Sequence, residues 1–182
     1  RDTMISLPGL AIATGRSEIA RPILRTFGHY LDQGMLPNLF PESGAPPAYN
    51  TVDAVLWYFE ALRIYVKVTQ DLSLLTELFP FLEDVIAWHR KGTRDRIQVD
   101  PADGLLYAGT PESQLTWMDV KIQDWVATPR HGKPIEVNAL WYNALMTMGH
   151  FARLLGQPDG LYEELAAQCR EGFQRFWNAE CG

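Results

Sequence analysis

The sequence predicts an all-α fold built from helices packed as antiparallel pairs. Apolar residues recur at 3.6-residue spacing in one stretch after another, and no strand–helix–strand alternation interrupts them. The 182 residues, 47% of them hydrophobic, suffice for one domain with a sizeable core. The loops add a third signal. Long ones precede the helices beginning near Thr51 and Glu136, whereas turns within pairs are short. Concentric rings of helices have this signature, with long loops and their polar residues gathered at one mouth.

Residues 3–14 are apolar but interrupted by Pro8 and Gly9, with Gly15 placed to end a helix, so a short or kinked helix is expected. Ser17 is a candidate N-cap for the next helix, whose face is Ile19, Ile23, Leu24, Phe27, Tyr30 and Leu31. Pro22 fits there only within the first turn. Pro37, Pro41, Gly44, Pro46 and Pro47 make residues 35–50 a loop. Thr51 then caps a helix to about Thr69. Its Val52, Val55, Leu56, Phe59, Leu62, Tyr65, Val66 and Val68 leave it apolar nearly all round, as in a helix buried on most sides.

Residues 71–91 are amphipathic through Leu75, Leu78, Phe79, Leu82, Ile86 and His89, and Pro80 is expected to kink or divide them. Turn signals at Asp100-Pro101 and Asp103-Gly104 make residues 93–114 irregular, with a short strand at Leu105-Leu106-Tyr107. The clearest helix runs from Glu136 to about Leu155 along Val137, Leu140, Trp141, Ala144, Leu145, Met148 and Phe151. A last helix, about Asp159 to Asn178, carries Tyr162, Ala166, Cys169, Phe173 and Trp177. Six helices in three pairs result.

A net charge of -6 without a Lys/Arg stripe argues against nucleic acid as a partner. No apolar run reaches the ~18 residues needed to span a bilayer, and no signal peptide opens the chain. Two cysteines, Cys169 and Cys181, make no disulfide framework, so a reducing, cytoplasmic setting is expected. The four histidines show no ligand spacing with each other or with cysteine, so neither a metal nor another cofactor is expected. Six tryptophans fit a core, and they fit equally a ligand with flat apolar faces such as a sugar.

The stretch Leu115–Lys121 and the loop after it to Glu136 fit neither a helix core nor a solvated linker. They place Trp117, Asp119, Lys121, Trp125, Arg130, Lys133 and Glu136 close together in sequence, and such loops on rigid scaffolds concentrate binding and catalysis. Flanking Trp117, Met118 and Val120 would desolvate the Asp119 carboxylate and raise its pKa, suiting it to protonate a glycosidic oxygen. The plainer alternative is an Asp that caps a helix or forms an Asx-turn. Arg1-Asp2 could fork onto vicinal sugar hydroxyls, although Asp2 could equally be an N-cap. Asn50, Asp53, Glu136 and Asn138, all at helix starts, have the same two readings. With no phosphate-cradling loop and no nucleophile elbow, paired carboxylates are the natural hydrolytic chemistry.

Five blocks in order carry a family resemblance: Arg1-Asp2-Thr3, Tyr49-Asn50-Thr51-Val52-Asp53, Thr116-Trp117-Met118-Asp119, residues 128–134 (TPRHGKP) and residues 138–145 (NALWYNAL). Together they resemble the C-terminal, amylo-α-1,6-glucosidase domain of glycogen debranching enzymes. The resemblance implies an (α/α)6 barrel, of which residues 1–182 would form roughly half. It implies inverting hydrolysis of the α-1,6-linked glucose stub at a glycogen branch point, with Asp119 as general acid and Arg1 and Asp2 gripping the terminal glucose. Trp117, Tyr49, Asn50, Asp53, Lys121, Arg130, Lys133, Glu136 and Trp141 would line the pocket, and an α-glucan would be the partner.

The chain opens without Met and counts six helices where the barrel needs about twelve, and no carboxylate beyond Glu136 lies in a recognisable motif. It is therefore expected to be a fragment that lacks the general base and is inactive alone. Half a barrel would also expose inner-helix residues such as Leu56 and Phe59 and self-associate through them. Two alternatives stand beside this reading: another exo-glycosidase on the same barrel, glucoamylase-like or trehalase-like, and a non-catalytic glucan-binding helical domain.

Overall fold

The computed structural model describes residues 1–41 and 44–180. Cys181 and part of the proline-rich loop, Glu42 and Ser43, lie outside the described residues. The elements in order are helix α1 (Asp2–Leu7), α2 (Ser17–His29), α3 (Asp53–Thr69) and α4 (Leu72–Lys91), then strands β1 (Gln98–Val99), β2 (Leu106–Tyr107), β3 (Lys121–Ile122) and β4 (Trp125–Val126), then α5 (Ile135–Leu154) and α6 (Gly160–Gly172).

Prolines act less severely than the sequence predicts. After Leu7 the chain does not break at Pro8 but widens into a π-helical turn, Pro8–Ile12, closed by Ala13 N–H donating to the Pro8 carbonyl at 2.8 Å. Gly15, at φ +77°, then ends it as expected. Pro22 lies inside α2 beyond its first turn, and Pro80 lies inside α4, which runs unbroken for 20 residues. An interior proline costs a helix about 3 kcal/mol. Packing outweighs that cost here, because α2 buries Ala20, Leu24 and Gly28, and α4 buries Leu74, Leu75, Leu78, Leu82, Val85 and Ile86. The caps differ from expectation too. Arg16 and Val52, rather than Ser17 and Thr51, precede the first helical residues, and the Thr51 hydroxyl is buried without a hydrogen bond. Asp71 does cap α4, accepting from the Leu74 N–H at 3.1 Å.

Helices α1, α3 and α5 pack side by side with α3 between, and α2, α4 and α6 pack behind them. As its sequence predicts, α3 is buried on most sides: Ala54, Val55, Leu56, Tyr58, Phe59, Ala61 and Leu62 have no exposed surface. That corrects one expectation. Leu56 and Phe59 are fully buried and form no apolar patch, because α3 is packed among α1, α2 and α5. The α2–α3 approach is close enough that a Cβ on Gly28 would come within 2.8 Å of the Tyr58 hydroxyl, which itself donates to the Leu24 carbonyl at 2.8 Å. His89 is fully buried in α4 and stacks on Trp141 of α5, ring centroids 5.5 Å apart and 18° from parallel.

The stretch from α4 to α5 is irregular apart from a 3-10 turn at Arg94–Arg96 and two small hairpins, β1–β2 and β3–β4. The first contains the last two residues of the strand expected at Leu105-Leu106-Tyr107, whereas the sequence gives no sign of the second. Asn138 pins β2 to α5: its side chain accepts from Leu106 N–H at 2.6 Å and donates to Leu106 C=O at 3.1 Å, as a paired strand would. Among the described residues no helix is long and apolar enough to cross a membrane.

Candidate active site

The first turns of α1, α3 and α5 converge on one mouth, and the long 115–134 loop closes its rim. A cavity of about 560 Å³ opens there, lined by Ile5 of α1, Asp53 and Trp57 of α3, Trp117 of the loop, and Glu136, Ala139 and Leu140 of α5. Its polar side chains sit at helix starts for a physical reason. The unpaired N–H groups and dipole of a helix N-terminus favour a carboxylate, so Asp53 and Glu136 are tolerated where a mid-helix carboxylate in a core would not be.

Arg1 organises the corner. Its Nε donates to Asp53 Oδ1 at 2.8 Å and its Nη1 to Asp119 Oδ2 at 3.2 Å. One guanidinium therefore joins two carboxylates that lie 66 positions apart in sequence. The Asp53 side chain is only 2% exposed and that of Arg1 8%, whereas that of Asp119 is 49% exposed. Burial pushes the Asp53 carboxyl up from its ordinary range, and the hydrogen bond and charge of Arg1 pull it part of the way back. The remaining terminal nitrogen of Arg1 is buried without a partner. The desolvation expected at Asp119 is not present in this chain: Trp117 (53% exposed) and Val120 (51%) are themselves exposed, and half of the Asp119 side chain remains in water.

Loop residues 120–127 form the β3–β4 hairpin just after Asp119, turning at Gln123 in the left-handed region (φ 54°). Arg130 stacks over the Trp117 ring, 5.7 Å from its centroid, and pairs with Glu136. Trp117, Arg130 and Glu136, all named from sequence, are thus brought together beside Asp53.

The other expected site residues do not line this cavity. Trp141 is 1% exposed and stacked on His89, so in this chain it lies in the core, as its place in the helical period of α5 implies. Lys133 gives its ammonium to Asp100 at 2.6 Å and Asp103 at 2.8 Å, tying the loop to the 100–104 turn. Tyr49 donates to the Tyr30 carbonyl at 2.8 Å and lies under Arg94, a contact that braces the C-terminal end of α2. Lys121 reaches the Glu112 carbonyl at 3.5 Å, and Asp2 and Asn50 are exposed. Reasoning from sequence missed Ile5, Trp57, Ala139 and Leu140. Helical spacing would have found three of them, since Trp57 is four residues after Asp53, and Ala139 and Leu140 are three and four after Glu136.

Comparison with known proteins bears on the family of the chain. A glycogen debranching enzyme of Saccharomyces cerevisiae is 28% identical over 166 residues, an alignment covering 65% of this chain and 11% of that protein. The chain therefore spans about a tenth of the length of the curated relative it matches. The sequence profile described as amylo-alpha-1,6-glucosidase matches residues 1–182, the whole chain, and the protein belongs to that family.

Proposed function

We propose that this chain carries the proton-donating half of a glycosidase site that removes α-1,6-linked glucose from branched α-glucan. The observation that carries the reading is the Arg1 guanidinium spanning Asp53 and Asp119 beside a cavity walled by Trp57 and Trp117. Indole faces suit the C–H faces of a pyranose, and a planar guanidinium suits vicinal hydroxyls. The side-by-side packing of α1, α3 and α5 with α2, α4 and α6 behind supports an (α/α)6 barrel, with this mouth as its catalytic end.

In this reading Asp119 transfers its proton to the glycosidic oxygen as the bond to C1 breaks. A water adds to C1 from the opposite face, giving glucose of inverted configuration, and a second carboxylate takes the water's proton. Donation needs a protonated acid, so bound sugar must engage Arg1 and shield Asp119 from solvent. Within this chain Asp53 is neutralised by Arg1 and Glu136 by Arg130, which leaves neither free to activate water. The isolated chain is accordingly expected to bind α-glucan without hydrolysing it.

The test is Asp119→Asn in the complete protein, assayed for glucose release from a dextrin bearing single α-1,6 glucose stubs. The rate should collapse by 10² or more while dextrin binding persists. Unchanged hydrolysis would remove Asp119 from the mechanism. If the wild type releases no glucose from any α-glucan yet binds it, the chain is a non-catalytic glucan-binding domain. Comparison of panose with maltose then distinguishes a branch-point enzyme from a glucoamylase-like one.

A further inference from the structure

The family-level reading gives Arg1 and Asp119 their roles and leaves Asp53 as one more pocket residue, but its surroundings say something more specific. Asp53 is the first residue of α3, the most buried helix in the molecule, and only 2% of its side chain is exposed, so it has almost no surface to offer a sugar hydroxyl. What it does offer is an oxygen 2.8 Å from Arg1 Nε. A guanidinium is planar, so fixing Nε fixes the direction of both terminal nitrogens. Nη1 is thereby aimed at Asp119, which sits on an exposed loop with no helix to hold it. Among the described residues, Arg1 supplies the hydrogen bond that the Asp119 side chain accepts.

We infer that Asp53 is a positioning residue: anchored on α3, it orients Arg1 and through it sets the location and charge environment of Asp119. The inference rests on the reading of Asp119 as proton donor. The other charged groups at this corner are Asp2 in α1, Lys121 on the hairpin, and the mutually paired Arg130 and Glu136. The Arg1 α-ammonium also lies here and donates to Asn38 Oδ1 at 3.3 Å. Among the described residues none of these groups is ion-paired with the Arg1 guanidinium or the Asp119 carboxylate, so the three-residue relay is the coupling to test.

Asp53→Asn keeps the shape and an acceptor oxygen but removes the charge that balances Arg1. The uncompensated guanidinium then favours the ionised acid, so the alkaline limb of the kcat/KM–pH profile should move to lower pH. At the wild-type optimum, kcat/KM should fall roughly 10- to 100-fold, mostly in kcat. A purely structural role would lower Tm without moving the limb. Arg1→Lys serves if Asp53→Asn does not fold: lysine keeps the charge but cannot hold two carboxylates in one plane, so the rate should fall comparably with little limb shift.

All variants are measured in the complete protein beside Asp119→Asn. If Asp119→Asn is inactive but neither Asp53→Asn nor Arg1→Lys changes rate or profile, the positioning role is overturned and the proton-donor reading stands. If Asp119→Asn is fully active, the proton-donor reading itself fails.

Discussion

His89 should make the stability of this chain fall between pH 7.5 and 5. The ring is wholly buried, stacked on Trp141, with Nδ1 2.8 Å from the Val85 carbonyl and Nε2 facing no partner. Burial disfavours the imidazolium and pulls the pKa from 6.5 down to about 4, a shift that the Val85 hydrogen bond only partly opposes. Above pH 6.5 the ring is neutral whether folded or unfolded, and the full stability is present. As pH falls, the unfolded chain takes up the proton first, and stability is lost until the folded ring also protonates near pH 4. At pH 5 this amounts to about 2 kcal/mol from this one group.

The assay is urea unfolding of wild type and His89→Leu at both pH values. Leucine fills most of the ring's volume and does not titrate, so differencing the two proteins cancels every other titrating group. The deficit of His89→Leu at pH 7.5 should shrink by about 2 kcal/mol at pH 5, or reverse. A constant difference between the proteins across this window would refute the reasoning.

Two further expectations follow from packing and charge. Gly172 ends α6 against the 100–104 turn, where a methyl group would collide with the Asp103 carbonyl, so Gly172→Ala should destabilise by about 1–3 kcal/mol in denaturant melts, although alanine is the better helix former. Lys133→Met strips the ammonium from Asp100 and Asp103, whose carboxyls it helps hold below the usual carboxylate range. Stability should fall by about 1–2 kcal/mol at pH 7, and the deficit should fade below about pH 4 as the carboxylates protonate in both states. KM for α-glucan in the complete protein should be unchanged, which checks that Lys133 braces the loop and does not grip sugar.

Helix identity, order and burial were legible in the chain itself, because periodicity records which face a helix hides whatever covers it. The all-round apolar character of α3 announced its central place, and Leu105-Leu106-Tyr107 announced a strand that forms over its last two residues. The candidate-site loop was legible as a loop of unusual composition, since Trp117, Asp119, Arg130 and Glu136 cluster within a short stretch that no helix pattern explains. Partners distant in sequence were not legible. Nothing local says that Arg1 meets both Asp53 and Asp119, that Lys133 turns away to Asp100 and Asp103, or that Trp141 stacks on His89. Nor does local pattern reveal that Pro22 and Pro80 are carried inside helices, because the packing that offsets a lost backbone bond comes from neighbouring helices. Residue type and spacing thus set which chemistry this protein could carry. Which carboxylate is buried, which stays wet and which cation joins them depended on how α1, α3 and the 115–134 loop meet, a matter of three-dimensional approach that spacing along a chain does not encode.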